Sequence, residues 1–186
     1  VLIAPGFDNE ALTILQEKKN RIILRQKSFS FGKVQFKSLL NGVIEQEKDL
    51  VTESRNEMIA VTVVLPEATA YEDMAFANKI VKHSKSNTIV LVKNKCLLAS
   101  GVGQTSRVDA LKQAIEKANG FNFSLAGAVM ASDAFFPFAD GIEAAAQHGI
   151  AAVAQPGGSV RDDEVIEAVN KLGLVMVLTG ARHFRH

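Results

Sequence analysis

Four short apolar runs, at residues 88–92, 127–131, 150–154 and 174–178, alternate with stretches of helical spacing. This alternation limits the fold more than any other feature of the chain. Helical spacing fills 67–82 (Tyr71, Met74, Ala75, Ile80), 104–119 (Val108, Leu111, Ile115, Ala118), 138–147 and 162–172 (Val165, Ile166, Val169, Leu172). Apolar strands separated by amphipathic helices bury both faces of one sheet. The pattern therefore predicts an α/β fold, a three-layer α/β/α sandwich around a mostly parallel sheet. Asn94-Lys95 reads as a turn that returns 96–99 as a hairpin partner of 88–92.

The leading part is less regular. Residues 1–4 and 21–24 read as strands, and Asp8 opens a helix carrying Ala11, Leu12 and Leu15 on one face. Residues 27–49 read as extended or hairpin structure, with Asn41-Gly42 as the turn signal. Residues 50–66 read as a connector holding the apolar run 59–65. The expected organisation is a leading segment, 1–66, and a core, 67–186. The chain opens inside a strand-like run without Met, which reads as a processed product or a piece of a longer protein.

Composition removes several function classes. The formal net charge is +1, which argues against nucleic-acid binding over a broad surface and makes any basic site local. Cys96 is the one cysteine, so no intrachain disulfide forms and a reducing, cytoplasmic setting is expected. No Cys-x-x-Cys or His-x-Glu pair occurs, so no metal is expected. No apolar run is long enough to span a membrane, and no signal peptide is visible.

The segments that carry chemistry lie at strand ends, where open α/β sheets gather ligands. The last strand run ends in Thr179-Gly180 and then Ala181-Arg182-His183-Phe184-Arg185-His186. Arginine forks there match phosphate oxygens, although a solvated basic tail fits the same residues. In Ser100-Gly101-Val102-Gly103-Gln104-Thr105-Ser106-Arg107, the spacing of Ser106 and Asp109 suits a helix cap. Glycines and a helix start offer N–H groups to an anion there, or simply make a tight turn. Gln155-Pro156-Gly157-Gly158-Ser159-Val160-Arg161-Asp162 repeats the cap spacing. Three acids in its first turn disfavour an anion, so its backbone donors fit a neutral heterocycle or amide better.

In Ser132-Asp133-Ala134-Phe135-Phe136-Pro137-Phe138-Ala139-Asp140-Gly141, three Phe surround a Pro between two Asp. The Phe are core residues, or faces and a carboxylate that grip a flat heterocycle. Lys82-His83 reads as an acid/base pair or as cations at a helix C-terminus. Asn87, just before a strand, is a ligand amide or a turn former.

Five segments in this order give a resemblance: Lys85-Ser86-Asn87, 101–109, 132–141, 155–159 and 179–186. They resemble the C-terminal part of the bifunctional purine biosynthesis family, which joins AICAR transformylase to IMP cyclohydrolase. The resemblance implies transfer of formyl from the co-substrate 10-formyltetrahydrofolate to the 5-amino group of AICAR, giving FAICAR. It also implies two cytidine-deaminase-like units without zinc, of which this chain is similar to the second, and a site formed across a homodimer interface. By resemblance, Asn87, Arg107, Phe135 and Arg182 contact AICAR, with Arg182 on its phosphate. Val108, Asp140, Ser159 and Val160 line the folate site, with Asp140 on the pterin. Phe138, Phe184 and His186 sit nearby.

The family's catalytic Lys-His-x-x-Pro segment is not in the chain, and Lys82-His83 matches a different place in the family. The cyclohydrolase domain is also missing. The fragment alone is therefore expected to be inactive or nearly so, with Asn87 as a supporting residue. Ala139 stands where the family usually has Arg. A noncatalytic nucleotide- or anion-binding module is the alternative from another class, and the missing zinc ligands argue against a deaminase.

Overall fold

The computed structural model describes residues 1–28, 30 and 32–185. The chain divides into two compact units, Val1–Lys48 and Asp49–His186.

In the first unit, β1 (Leu2–Ala4) pairs in parallel with β2 (Ile23–Arg25), and α1 (Asn9–Gln16) makes the crossover. Asp8 caps α1: its Oδ1 accepts the Ala11 N–H at 2.7 Å. β3 (Val34–Leu39) and β4 (Gly42–Glu47) form the expected hairpin. Leu39 pairs with Gly42, so the two-residue turn is Leu40-Asn41, one position ahead of the Asn41-Gly42 signal.

The second unit is built on a six-stranded sheet in the order β5-β10-β9-β8-β6-β7. Its strands are β5 (Ile59–Ala60), β6 (Ile89–Lys93), β7 (Cys96–Gly101), β8 (Val129–Ser132), β9 (Ala152–Gln155) and β10 (Val175–Leu178). Its helices are α2 (Ala68–His83), α3 (Arg107–Gly120), α4 (Asp140–Gln147) and α5 (Asp162–Lys171). Adjacent pairing is parallel through β8, β9 and β10 and antiparallel elsewhere. The sequence predicts a mostly parallel sheet, but only the β8–β9 and β9–β10 pairings are parallel, against three antiparallel ones. A tight turn joins β6 to β7 and so makes them antiparallel; β6 also runs antiparallel to β8, and the short β5 antiparallel to β10.

Strand alternation assigns the two faces. Val90, Val92, Val129, Ala131 and Val177 point to α2, where Met74, Ala77 and Val81 close the layer. Ile89, Leu91, Met130, Val153 and Met176 point to the opposite core with Leu111 of α3, Ile142 of α4 and Val165 of α5. This is the α/β/α layering that the periodicity predicts.

Residues 49–66, read from sequence as a connector of the leading segment, pack with the second unit instead. Val61 donates its N–H to the Met176 carbonyl at 3.1 Å, and buried Thr62 accepts the Met176 N–H at 3.0 Å. The run is too short and too exposed at Ile59, Val63 and Leu65 to signal a sheet partner by periodicity. Among the described residues, no helix is long and apolar enough to cross a membrane.

Gly101 ends β7 where α3 crosses closely, and a Cβ there would overlap the Ala110 carbonyl. Gly101→Ala is expected to lower stability by about 1–3 kcal/mol, through overpacking that backbone must relieve. The midpoint of urea unfolding checks this.

Candidate functional site

The sheet brings the four chemistry-bearing loops to one edge. Gly101, Ile89, Ser132, Gln155, Leu178 and Ile59 lie along that edge by register. Loops leave it after β7, β8, β9 and β10, and Asn87 enters it just before β6. Four strands end where two begin, so residues far apart in sequence meet.

Two cavities open beside this edge, and Pro137 and Phe138 line both. One, of about 370 Å³, also holds Asn87, Arg107, Val108 and Asp140. The other, of about 690 Å³, also holds Phe135, Ser159, Val160 and Arg182, together with Arg161. The structure therefore brings eight of the singled-out residues to the two sides of one ridge. Each cavity takes two from the nucleotide set and two from the folate set. Phe184 is exposed and lines neither, and His186 lies outside the described residues.

Arg107 begins α3 behind a working cap. Ser106 Oγ accepts the Asp109 N–H at 3.1 Å and donates to its carboxylate at 2.7 Å. The Arg107 guanidinium reaches Asp133 Oδ1 through Nη2 at 3.3 Å. Its side chain is 16% exposed and that of Asp133 is 0% exposed. Burial holds the Arg107 pKa below its ordinary value; Asp133 opposes that shift and the nearby Arg182 charge adds to it. The pairing is single-point. Among the described residues, neither Arg107 Nε nor Asp133 Oδ2 has a hydrogen-bond partner.

Arg182 is exposed, stacks 4.7 Å over the Phe135 ring and donates to the Gly158 carbonyl at 3.4 Å. Phe136 is the core member of the aromatic group, at 2% exposure, while Phe138 is 55% exposed. Buried Gln155 fixes that loop: its Oε1 accepts the Phe136 N–H at 2.7 Å. Arg161 stacks 4.8 Å over Phe138. Asp140 accepts the Gly141 N–H at 2.8 Å at the start of α4. Ala139, at the N-cap position, accepts the Ile142 and Glu143 N–H groups through its carbonyl and makes no side-chain cap.

Several readings change. The Gly-rich turn before α3 spends three of its N–H groups internally: Val102 on Gln113, Gly103 on Lys85 and Gln104 on Asn87. It is a tied turn and not an anion nest. The Asn87 amide donates to the Gln104 carbonyl at 3.0 Å, so turn formation claims its nitrogen. The Gly157-Gly158-Ser159 donors do not await a heterocycle, because Asp162 Oδ2 takes the Gly158 and Ser159 N–H groups at 2.6 and 3.1 Å. Lys82 Nζ donates to the Val51 carbonyl and Thr52 Oγ1, so it anchors residues 51–52.

The basic tail is anchored, although the side chains of Arg182, Phe184 and Arg185 are exposed. His183 is 2% exposed, and Arg185 and Ser86 exchange hydrogen bonds at 2.8 and 2.9 Å. Gln155, Arg161 and His183 take roles that the sequence does not assign, and Asp133, one of the two Asp beside the Phe group, meets Arg107. Only Arg161 had a local signal, a cation one residue before the α5 acids.

The chain matches the AICARFT/IMPCHase bienzyme family over residues 1–117. It is 60% identical over 186 residues to the bifunctional purine biosynthesis protein PurH of Bacteroides thetaiotaomicron, covering 100% of this chain and 37% of that protein. It is 50% identical over 187 residues to PurH of Chlorobium phaeobacteroides, covering 100% of this chain and 36% of that protein. The chain thus spans little more than a third of these relatives. Among solved structures, apo dCMP deaminase of cyanophage S-TIM5 is 19% identical, with a TM-score of 0.42 over 60% of this chain and 98% of that one.

Proposed function

Since the chain belongs to the AICARFT/IMPCHase bienzyme family, we propose that its Asp49–His186 unit forms one wall of a formyl-transfer site. The observation that carries this reading is that one arginine lines each of the two cavities that meet at Pro137 and Phe138, Arg107 in one and Arg182 in the other. Arg107 and Arg182 are near enough for the charge of one to disfavour that of the other. Asp133 meets only one nitrogen of the Arg107 fork, which leaves donors on both arginines for a further anion, and arginine forks match phosphate. Arg107 Nε, buried without a partner, is a ready donor to such an anion.

In this reading the nucleotide is AICAR and the second substrate is 10-formyltetrahydrofolate. The 5-amino nitrogen attacks the formyl carbon. A new C–N bond forms, the bond from the formyl carbon to N10 of the folate breaks, and one proton passes from the amine to N10. The products are FAICAR and tetrahydrofolate. An aromatic amine beside a carboxamide is a poor nucleophile, so placement against the formyl carbon matters most; orientation alone can supply roughly 7–11 kcal/mol.

Arg182 and Arg107 hold the nucleotide end. Phe135 and Phe138 offer ring faces, and Asp140 offers a carboxylate to pterin N–H groups. The interleaving of the two residue sets on either side of Pro137 and Phe138 supports substrates that abut. The proton-transferring Lys-His segment and the remaining walls come from outside residues 1–186, including a second subunit of a homodimer.

Asp140→Asn is expected to weaken folate about 10-fold or more and to leave AICAR affinity within about 2-fold, because it removes a charged acceptor at one substrate only. Calorimetry of this chain together with the preceding region of its family partner measures both. Cyclohydrolysis, assayed separately in the complete bienzyme, should not change. Loss of AICAR affinity with folate spared would oppose the assignment.

A further inference from the structure

We infer that His183 is a positioning residue, the buried pin that decides where Arg182 stands. Its ring lies in a polar cluster drawn from three parts of the unit. Nδ1 is 2.5 Å from Asp49 Oδ2, and Nε2 is 3.1 Å from Glu53 Oε1. Asn78 of α2, itself 2% exposed, donates to Glu53 Oε2 at 2.6 Å and lies 3.3 Å from His183 Nε2. Both ring nitrogens face carboxylate oxygens directly, so both act as donors only when the ring carries two protons. Breaking such a buried group by removing one partner leaves charge without compensation, so the cluster resists rearrangement.

The main chain of the same residue reaches the site. The His183 N–H donates to the Asp133 carbonyl at 3.1 Å, and the Asp133 side chain holds Arg107. On its two sides the tail is committed to site loops. Arg182 stacks on Phe135 and bonds Gly158, while Arg185 is bonded to Ser86, next to Asn87. His183 touches neither cavity. It acts by fixing the one short segment from which an exposed, long and otherwise mobile arginine side chain projects. Stacking on one ring and one 3.4 Å hydrogen bond do not fix such a side chain unless its backbone is held.

This inference rests on the phosphate-holding role proposed for Arg182. The test titrates AICAR, and separately its nucleoside without the phosphate, into the 186-residue chain and into His183→Gln, each supplied with the region that precedes it in the family. The unaltered chain is expected to prefer the nucleotide at least about 10-fold. His183→Gln is expected to lose most of that preference while nucleoside affinity stays within about 2-fold. Asp49→Asn, at the 33% exposed rim of the cluster, supplies a second variant whose fold is less at risk, with an expected loss of preference of about 3-fold or more.

A merely structural role would weaken both ligands together. A variant that stays folded and keeps the full preference overturns the inference and leaves the phosphate site standing. No preference in the unaltered chain overturns the phosphate site and this inference with it.

Discussion

Arg107→Ala is expected to cost about 3–5 kcal/mol of stability and to abolish measurable AICAR binding. The size follows from what remains behind. Asp133 is 0% exposed, and its carboxylate meets the Arg107 guanidinium. Removing the cation leaves a carboxylate in a dry setting, which costs far more than the net worth of the pair. Replacing both residues together, as Arg107→Met with Asp133→Leu, is expected to restore most of the stability, because well-packed apolar groups often substitute for a buried pair without loss. Binding should not return in the double variant, since the guanidinium is gone. Urea unfolding and calorimetry on the three variants separate these effects. A small stability loss in Arg107→Ala would mean that Asp133 is less isolated from water than its burial indicates.

The second large effect is on binding alone. Arg182→Ala is expected to lower AICAR affinity by roughly 10- to 150-fold, the range that loss of a charge-assisted hydrogen bond of about 1.5–3 kcal/mol implies. Folate affinity should change little. Stability should fall by no more than about 1 kcal/mol, because Arg182 is exposed and its stack on Phe135 is worth little at the surface. Calorimetry with each substrate measures this directly. Equal losses for both, or none, would contradict the division of roles.

What the sequence made legible was local. Asp8 and Ser106 sit where capping chemistry demands, and both caps form. Of the expected stripes, Met74 of α2, Leu111, Ile115 and Ala118 of α3 and Val165 and Val169 of α5 are buried, Tyr71, Ala75, Ile80, Val108 and Ile166 are half-buried, and Leu172 is exposed. The loops bearing Arg107, Phe135, Ser159 and Arg182 were legible as strand-end turns, and the strand order explains why they meet. What escaped was long-range or competitive. His183 finds its partners 134 and 130 residues away, and no periodicity marks such a pair.

Asp162 takes the donors of its own glycine turn, a local choice between ligand and side chain that composition does not decide. Asp133 looked like a partner for a heterocycle and is instead the counter-ion of Arg107. The short β5 carries only two residues, too few to show a strand pattern.

The central claim is that two substrates abut at the Pro137–Phe138 ridge, each reaching into both cavities, one held by Arg107 and Arg182 and the other by the aromatic turn with Asp140. The most direct measurement is calorimetry of AICAR binding with and without an unreactive folate analogue, using this chain supplied with the region that precedes it in the family. Coupling between sites is reciprocal, so each ligand must change the affinity of the other by the same factor. The account predicts a coupling of at least about 5-fold that disappears in Asp140→Asn. AICAR affinity that is indifferent to the folate analogue, with the analogue itself unbound, would contradict it and leave a nucleotide-binding module in its place.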